Sequence, residues 1–478
     1  MRRYFFDMTD LRGFLGHQDT LTGIQRVVVM AAAKARLRLS PEAVWLCYYD
    51  EKLEQYLACK PDPDQMIDIT DIDELRRVLN IAPEPDRLPG LDKYRKRPGK
   101  RALKTLQYDL EAYFERERSF VKIGSTAAEW RKLRKPSSSE NLDRPIRKPF
   151  REVARKQDCL LLLDNTIRLE HVEEHFHEAS ESGIEIIALL HDLIPIVAPH
   201  FTKSNAPSWL FNWLKRSVKY VSYYLANSEN TARDLQRFLD TQDADQDVTV
   251  VPLAQARLEV KPPASNTLTQ AEVTAFPDFA ASRGVDDRAR GTSKTPFALT
   301  VGTREIRKNL WGVARAWQRL HAELGDETPK LVVAGRPGWL NEDFDDMMRA
   351  TGNLGGWVTV IDDASDADLA WLYERCLFTI CASFYEGWGL PVGESLAYGK
   401  TAVVSNVASL PEVGRDLVLY CNPHDMRDIA ATCKRLTSDV KTRIELERKI
   451  NQATLRSWSD VAEDIVRATT RQEQRPNA

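Results

Sequence analysis

The stretch SFYEGWGLPVGESLAYGK, Ser383 to Lys400, sets two carboxylates, Glu386 and Glu394, eight positions apart around a Gly-Trp-Gly-Leu-Pro turn. The residues before it, LFTICAS, read as a buried strand, because a short apolar run bounded by turn residues fits a core strand. Gly387 and Gly389 allow a tight turn whose backbone approaches a ligand closely. Pro391 suits the start of a helix that Gly399 would end. A strand–turn–helix of this kind aims the N–H groups from Leu390 to Gly393 into the crevice at the strand ends, where a phosphate is favoured. Acids beside a phosphate serve hydroxyl groups instead. Glu386 near a neutral sugar, Glu394 on a ribose diol and a phosphate between them describe a nucleotide-sugar pocket.

Working outward, PFALTVGT, PKLVVAGR, WVTVID and KTAVVSN join LFTICAS as strands of one unit. RYFFD, AVWLCYYD, DCLLLLD, IEIIALLHD, SYYLANS and VTVVPLA read as strands of an earlier one. Near-continuous apolar strands separated by helical segments indicate parallel α/β sheets buried on both faces. The segment 256–294 is rich in Pro, Ser, Thr and Asp and reads as a linker. The expected organisation is a Rossmann-like unit over 1–255, the linker, a nucleotide-sugar-binding unit over 295–455, and a helix and tail over 456–478. Two doubly wound units on one connection face each other across a cleft, and ligands bind at the carboxyl ends of such strands.

Composition agrees with two domains: 478 residues exceed what one core usually holds. Seven cysteines, odd in number and without a CxxC pair, read as free thiols of a reducing compartment and speak against a disulfide framework or zinc site. The N-terminus lacks an apolar core of signal-peptide length, and no run of about 18 apolar residues occurs. A cytoplasmic protein is expected, with any membrane contact peripheral. The net charge of −3 conceals a basic segment, residues 93–156, which carries 20 Lys/Arg against 8 Asp/Glu. That segment is either a solvated insertion or a surface for anionic lipid headgroups; no nucleic-acid-binding motif accompanies it. His171 and His175 in HVEEHFH are four apart, but the glutamate does not follow the first histidine as a zinc-protease motif requires.

The segment EGWGLPVGESLAYGKTAVV resembles the EGFGLPxxEAxAxGxPVV signature of the retaining glycosyltransferases of family 4, which have the two-domain GT-B fold. VGTREIRKNL and ASLPEVG extend the resemblance through the second unit; TGIQRVV, LLHDLIPIVAP and ANSENTARDL carry it more faintly in the first. Trp388 stands for the common phenylalanine, Ala382 for a usual proline, and Thr22-Gly23 for a glycine pair. The resemblance implies that Lys308 binds the donor diphosphate, assisted by Arg304 or Thr303 from the loop opened by Gly302; Arg307, in the same basic run, is expected on the surface. Cations there stabilise the charge that grows on a departing diphosphate. It further implies that His191, with Asp192 beside it, lies against the donor sugar opposite Glu386. Gly387, Gly389, Leu390 and Glu394 hold the nucleotide, and Gly23 and Gln25 cap it from the first unit. No metal is expected, since basic residues and a helix N-terminus take its role.

The activity so implied is transfer of a sugar from a nucleoside diphosphate with retention of configuration. GDP-mannose is the first expected donor and a lipid-linked glycan of bacterial surface polysaccharide, such as O-antigen, the expected acceptor. The alternatives are a UDP-sugar donor, a GT-B sugar-nucleotide epimerase, or a non-catalytic scaffold of a polysaccharide assembly. The C-terminal LRSWSDVAEDIVRA resembles the helix that in this fold crosses back to the first domain.

Overall fold

The computed structural model describes residues 2–470 apart from 19, 41, 61–66, 82–90, 92–97, 115, 117, 122–126, 128–129, 132–144, 165–171, 261–281 and 283. Much of the basic segment and of the linker, His171, and the tail beyond 470 therefore lie outside the described residues.

Two sheets organise the chain. The first holds β1 (Tyr4–Asp7), β2 (Val44–Asp50), β3 (Gln55–Lys60), β4 (Ile146–Pro149), β5 (Cys159–Leu162), β6 (Glu185–Leu190), β7 (Tyr223–Ala226) and β8 (Val248–Val250). Their order is β4-β3-β2-β1-β5-β6-β7-β8. The second holds β9 (Phe297–Val301), β10 (Lys330–Ala334), β11 (Val358–Ile361), β12 (Thr379–Cys381), β13 (Ala402–Ser405) and β14 (Leu419–Cys421), in the order β11-β10-β9-β12-β13-β14. The second sheet is parallel throughout, and the first is parallel from β2 to β8. This is the GT-B architecture of two Rossmann-like α/β units.

Burial on both faces explains the apolar runs. On β1, Phe5 and Phe6 point to opposite faces and enter separate cores, since successive strand side chains alternate. Burying each contributes on the order of 1.5–3 kcal/mol. All seven cysteines are buried and unpaired.

Three strands escaped the hydrophobic reading. β3 and β4 pair antiparallel at the edge of the first sheet, β4 with the sequence IRKP from within the basic segment. β14 is only three residues long. The basic segment also builds a core of its own: Tyr108, Ala112, Phe120, Ala127 and Trp130 are buried together with Leu91. The helix Trp458–Thr470 packs on the helix Gly23–Arg38 of the first unit, and its Val461, Ala462 and Ile465 join the core there. His175 sits in the helix Glu173–Glu181, stacked on Tyr56. Among the described residues, no helix is long and apolar enough to cross a membrane.

Candidate active site

The carboxyl ends of both sheets open onto one cleft of about 620 Å³. From the second sheet, β9 runs into a loop and the short helix Ile306–Lys308. Asn309 adopts a left-handed conformation (φ 56°) that turns the chain into the helix Leu310–Leu324, and its amide anchors to the carbonyls of Ala382 and Pro423. That anchor fixes the loop carrying Lys308 against the end of β12, from which the chain runs on to Glu386.

Glu386 is 5% exposed and fully engaged. Its Oε1 accepts from Lys308 Nζ at 2.6 Å and from Ser383 Oγ at 2.8 Å, and its Oε2 accepts from Arg307 at 2.6 Å. Burial alone would raise its pKa; the Arg307 and Lys308 cations and their hydrogen bonds override it and bring the value down to about 2. Glu386 is therefore a carboxylate at any physiological pH. Arg307 also donates to Glu305, itself pushed up by burial despite the cations beside it.

Arg307 thus corrects the expectation that it lies on the surface. Arg304 is a second correction, because it does not line the cleft. Its guanidinium is buried, bonded to the Gly335 carbonyl at 2.8 Å and paired with Asp362 and Asp345. It ties the loop after β9 to the ends of β10 and β11. Gly302, Thr303 and Lys308 do line the cleft.

Beyond the turn, Gly389 takes a left-handed conformation (φ 101°) and caps the helix Leu390–Ala397. The expectation of free N–H groups from Leu390 to Gly393 narrows here, since the amides of Val392 and Gly393 donate to the Gly389 carbonyl. Glu394 lines the cleft with its two oxygens already bonded: Oε1 to Arg26 at 3.1 Å and Oε2 to the Tyr373 hydroxyl at 2.7 Å. Burial pushes its pKa up, while Arg26 and the Tyr373 bond pull against that shift.

The first sheet supplies the opposite wall. His191 follows β6 and donates from Nε2 to the Leu163 carbonyl at 2.8 Å, since a carbonyl only accepts. Nδ1 is left as an acceptor in the neutral ring, which burial favours by lowering the pKa. Asp192, also in the cleft wall, accepts from the Ile194 amide at 3.0 Å. Gly23 lines the cleft opposite Leu390. Gln25 does not: it is buried and bonded to the Thr22 hydroxyl. Arg26, one residue and about 100° further around the helix, reaches across to Glu394 and to Asp366 at 2.8 Å.

Other bonds hold the walls together. Glu412, in the ASLPEVG segment, accepts from the amides of Glu229 and Asn230 and so caps the first unit's helix Glu229–Thr241. Such a carboxylate suits a helix N-terminus. Ser409, from the same segment, donates to the Glu386 and Trp388 carbonyls and supports the turn from below. Phe201 of the first unit stacks on Phe384 of the second at 5.3 Å. The motifs singled out in the two halves of the sequence therefore touch one another across the cleft.

Residues 285–454 match the family described as glycosyl transferases group 1. O-antigen chain mannosyltransferase B of Escherichia coli is 35% identical over 173 residues, 36% of this chain and 45% of that protein. Serotype-specific mannosyltransferase WbdA of Escherichia coli is 29% identical over 200 residues, 41% of this chain and 24% of that protein. The matched stretches thus span less than half the length of these relatives. Among solved structures, Anabaena Alr3699/HepE in complex with UDP and glucose superposes with a TM-score of 0.53 at 10% identity, over 98% of this chain and 100% of that one. At that identity the likeness shows the fold.

Proposed function

We propose, from a second domain that matches the family described as glycosyl transferases group 1, that the chain transfers a sugar from a nucleoside diphosphate to a glycan with retention of anomeric configuration. The observation that carries the reading is the ionised Glu386, held by Lys308 and Arg307 and facing the neutral His191 across the cleft. Lys308 exchanges part of its bond to Glu386 for the donor diphosphate, with the Leu390 end of the helix and Thr303 adding donors. Glu394 takes the ribose hydroxyls once Arg26 yields them. The sugar lies between Glu386 and His191, whose Nδ1 accepts from a sugar hydroxyl, with Asp192 and Gly387 closing its floor.

In the reaction, the bond from the anomeric carbon to the diphosphate breaks and the electron pair leaves with the nucleotide. The acceptor oxygen attacks on the same face and gives its proton to the departing phosphate oxygen. Glu386 orients the sugar and stabilises the positive charge at the anomeric carbon, and the cations stabilise the leaving group. No metal is needed for that charge balance. Closure of the two domains keeps water from the activated donor. The names of the relatives favour mannose as the sugar and an O-antigen chain as the acceptor; GDP-mannose as its donor and a lipid-linked form of the glycan complete the proposal.

Calorimetric titration with GDP, UDP and ADP tests this reading. GDP is expected to bind, with affinity reduced roughly 10- to 100-fold in Lys308→Ala and in Glu394→Ala, the usual cost of a charged hydrogen bond. Preferential UDP binding would leave the transfer reading and remove mannose from GDP-mannose. No nucleotide binding by the folded protein would overturn transfer altogether.

A separate result is expected from His191→Ala: transfer falls by roughly 10- to 100-fold, as for one lost hydrogen bond to a reacting sugar, with nucleotide affinity within about threefold. An equal loss of nucleotide affinity would place His191 on the wrong part of the donor.

A further inference from the structure

The helix Pro98–Tyr113 is apolar on two opposite sides. One side, with Tyr108 and Ala112, is buried against Phe120 and Trp130, and the Trp130 indole donates to Asp109 at 2.9 Å. On the other side Leu103, Leu106 and Leu110 are 68%, 56% and 52% exposed, at the i, i+3, i+7 spacing that aligns side chains along one face. Tyr113 and Phe114 continue the stripe at its end and are also exposed. Lys100 and Lys104 flank it, within a segment of the chain that carries 20 basic residues against 8 acidic ones. Exposed leucines repeated over two turns would be costly on a face that stays in water.

We infer that this face docks on an anionic lipid bilayer, with the helix lying in the plane of the interface. Two observations choose lipid over other occupants. The apolar residues line up along one face of a helix, which suits a surface that deforms to meet it. The segment of chain that contains the helix is net basic in sequence, and Lys100 and Lys104 stand beside the stripe, which complements an anionic leaflet. The helix of 16 residues is about 24 Å long, and Leu103 to Leu110 cover about 10 Å of it. Leu103, Leu106 and Leu110 enter the acyl boundary while Lys100 and Lys104 reach the phosphates. The small core under the helix buries its Tyr108 side and leaves the leucines outward. The inference stands apart from the chemistry of the cleft, so nucleotide binding serves as its control.

Flotation of the full chain with vesicles tests it, comparing phosphatidylglycerol/phosphatidylcholine mixtures with pure phosphatidylcholine. The protein is expected to float with the anionic vesicles, less so at high salt, and not with the neutral ones. The triple variant Leu103→Gln, Leu106→Gln, Leu110→Gln is expected to lower partitioning at least about tenfold. The double variant Lys100→Gln, Lys104→Gln is expected to lower it roughly 30-fold, at about a factor of five per basic residue. Both should keep the parent's melting temperature and nucleotide affinity. Absence of flotation, or flotation unchanged by both variants, would overturn the inference. A leucine variant that turned a dimer into a monomer without altering flotation would assign the face to a second copy of the chain instead.

Discussion

Glu386→Gln is expected to lower the rate of sugar transfer by roughly 10²–10³-fold, the range for removing one preorganised electrostatic group from a water-excluded site. The amide keeps the shape of the side chain and removes its charge. Arg307 and Lys308 then remain buried beside a neutral group, and breaking a buried ion pair in this way costs on the order of 3–5 kcal/mol of stability. The cations hold the Glu386 carboxyl at about 2, against the ordinary 4.5, and that depression gives a second route to the figure, about 3 kcal/mol. The folded-state value is depressed, so the contribution is fully present above pH 4.5. It is lost as pH falls from there towards 2. The difference in melting temperature between wild type and variant should therefore be large at neutral pH and shrink through that window. Calorimetric melts at several pH values and a donor-turnover assay check both halves. Parallel melting curves at every pH would mean that the ion cluster does not hold Glu386 as described.

Gly387→Ala is expected to cost roughly 10²-fold in transfer, the size associated with a displacement of about 1 Å at a reacting centre. A Cβ at this position would stand 1.8 Å from the His191 carbonyl oxygen and 2.9 Å from Asp192 Cβ. The obstacle is backbone of the opposite domain, which cannot rotate aside as a side chain would. The wall carrying His191 must therefore move away from the wall carrying Glu386. Because Lys308 and Glu394 both belong to the second domain, nucleotide affinity should stay within about threefold of wild type. Gly13→Ala, whose new Cβ would meet nothing within 4 Å, serves as the control and should be silent. Full transfer activity in Gly387→Ala would show that the close approach of the two walls is not part of the working state.

How the site divides between readable and unreadable residues follows a physical line. Glu386, Lys308, Glu394 and His191 stand beside local signals: a glycine turn, a strand end, a helix start. Local signals survive in sequence because they act within a few residues. Arg26, Arg307 and Glu412 were not assigned to the site, and each is defined by a partner far along the chain. Arg26 meets Glu394 and Asp366, Arg307 meets Glu386, and Glu412 meets the amides of Glu229 and Asn230. Nothing beside these residues in the chain distinguishes them from solvated charges.

The exchange of roles in the loop after β9 makes the same point. Arg304 and Arg307 are three residues apart in one basic loop, and charge alone gave no reason to send one into the struts and the other into the cleft. The path of the loop decided it: Arg304 pairs with Gly335 at the end of β10, while Arg307 passes over Glu386. Gln25 and Arg26 differ by a single step of the helix, and the packing of that helix on the first sheet and on the C-terminal helix sets which one faces the cleft. Likewise β3 and β4 are edge strands whose pairing a hydrophobic scan does not register.

The sequence by itself determined the two α/β units and the strand–turn–helix that carries both glutamates. Short-range periodicity, turn chemistry and residue spacing are enough for that. Only the tertiary structure decided the ion pairs, the helix phases and the contact of Gly387 with His191. Those depend on groups brought together from opposite ends of the chain, where burial makes a charge keep a partner that sequence distance does not reveal.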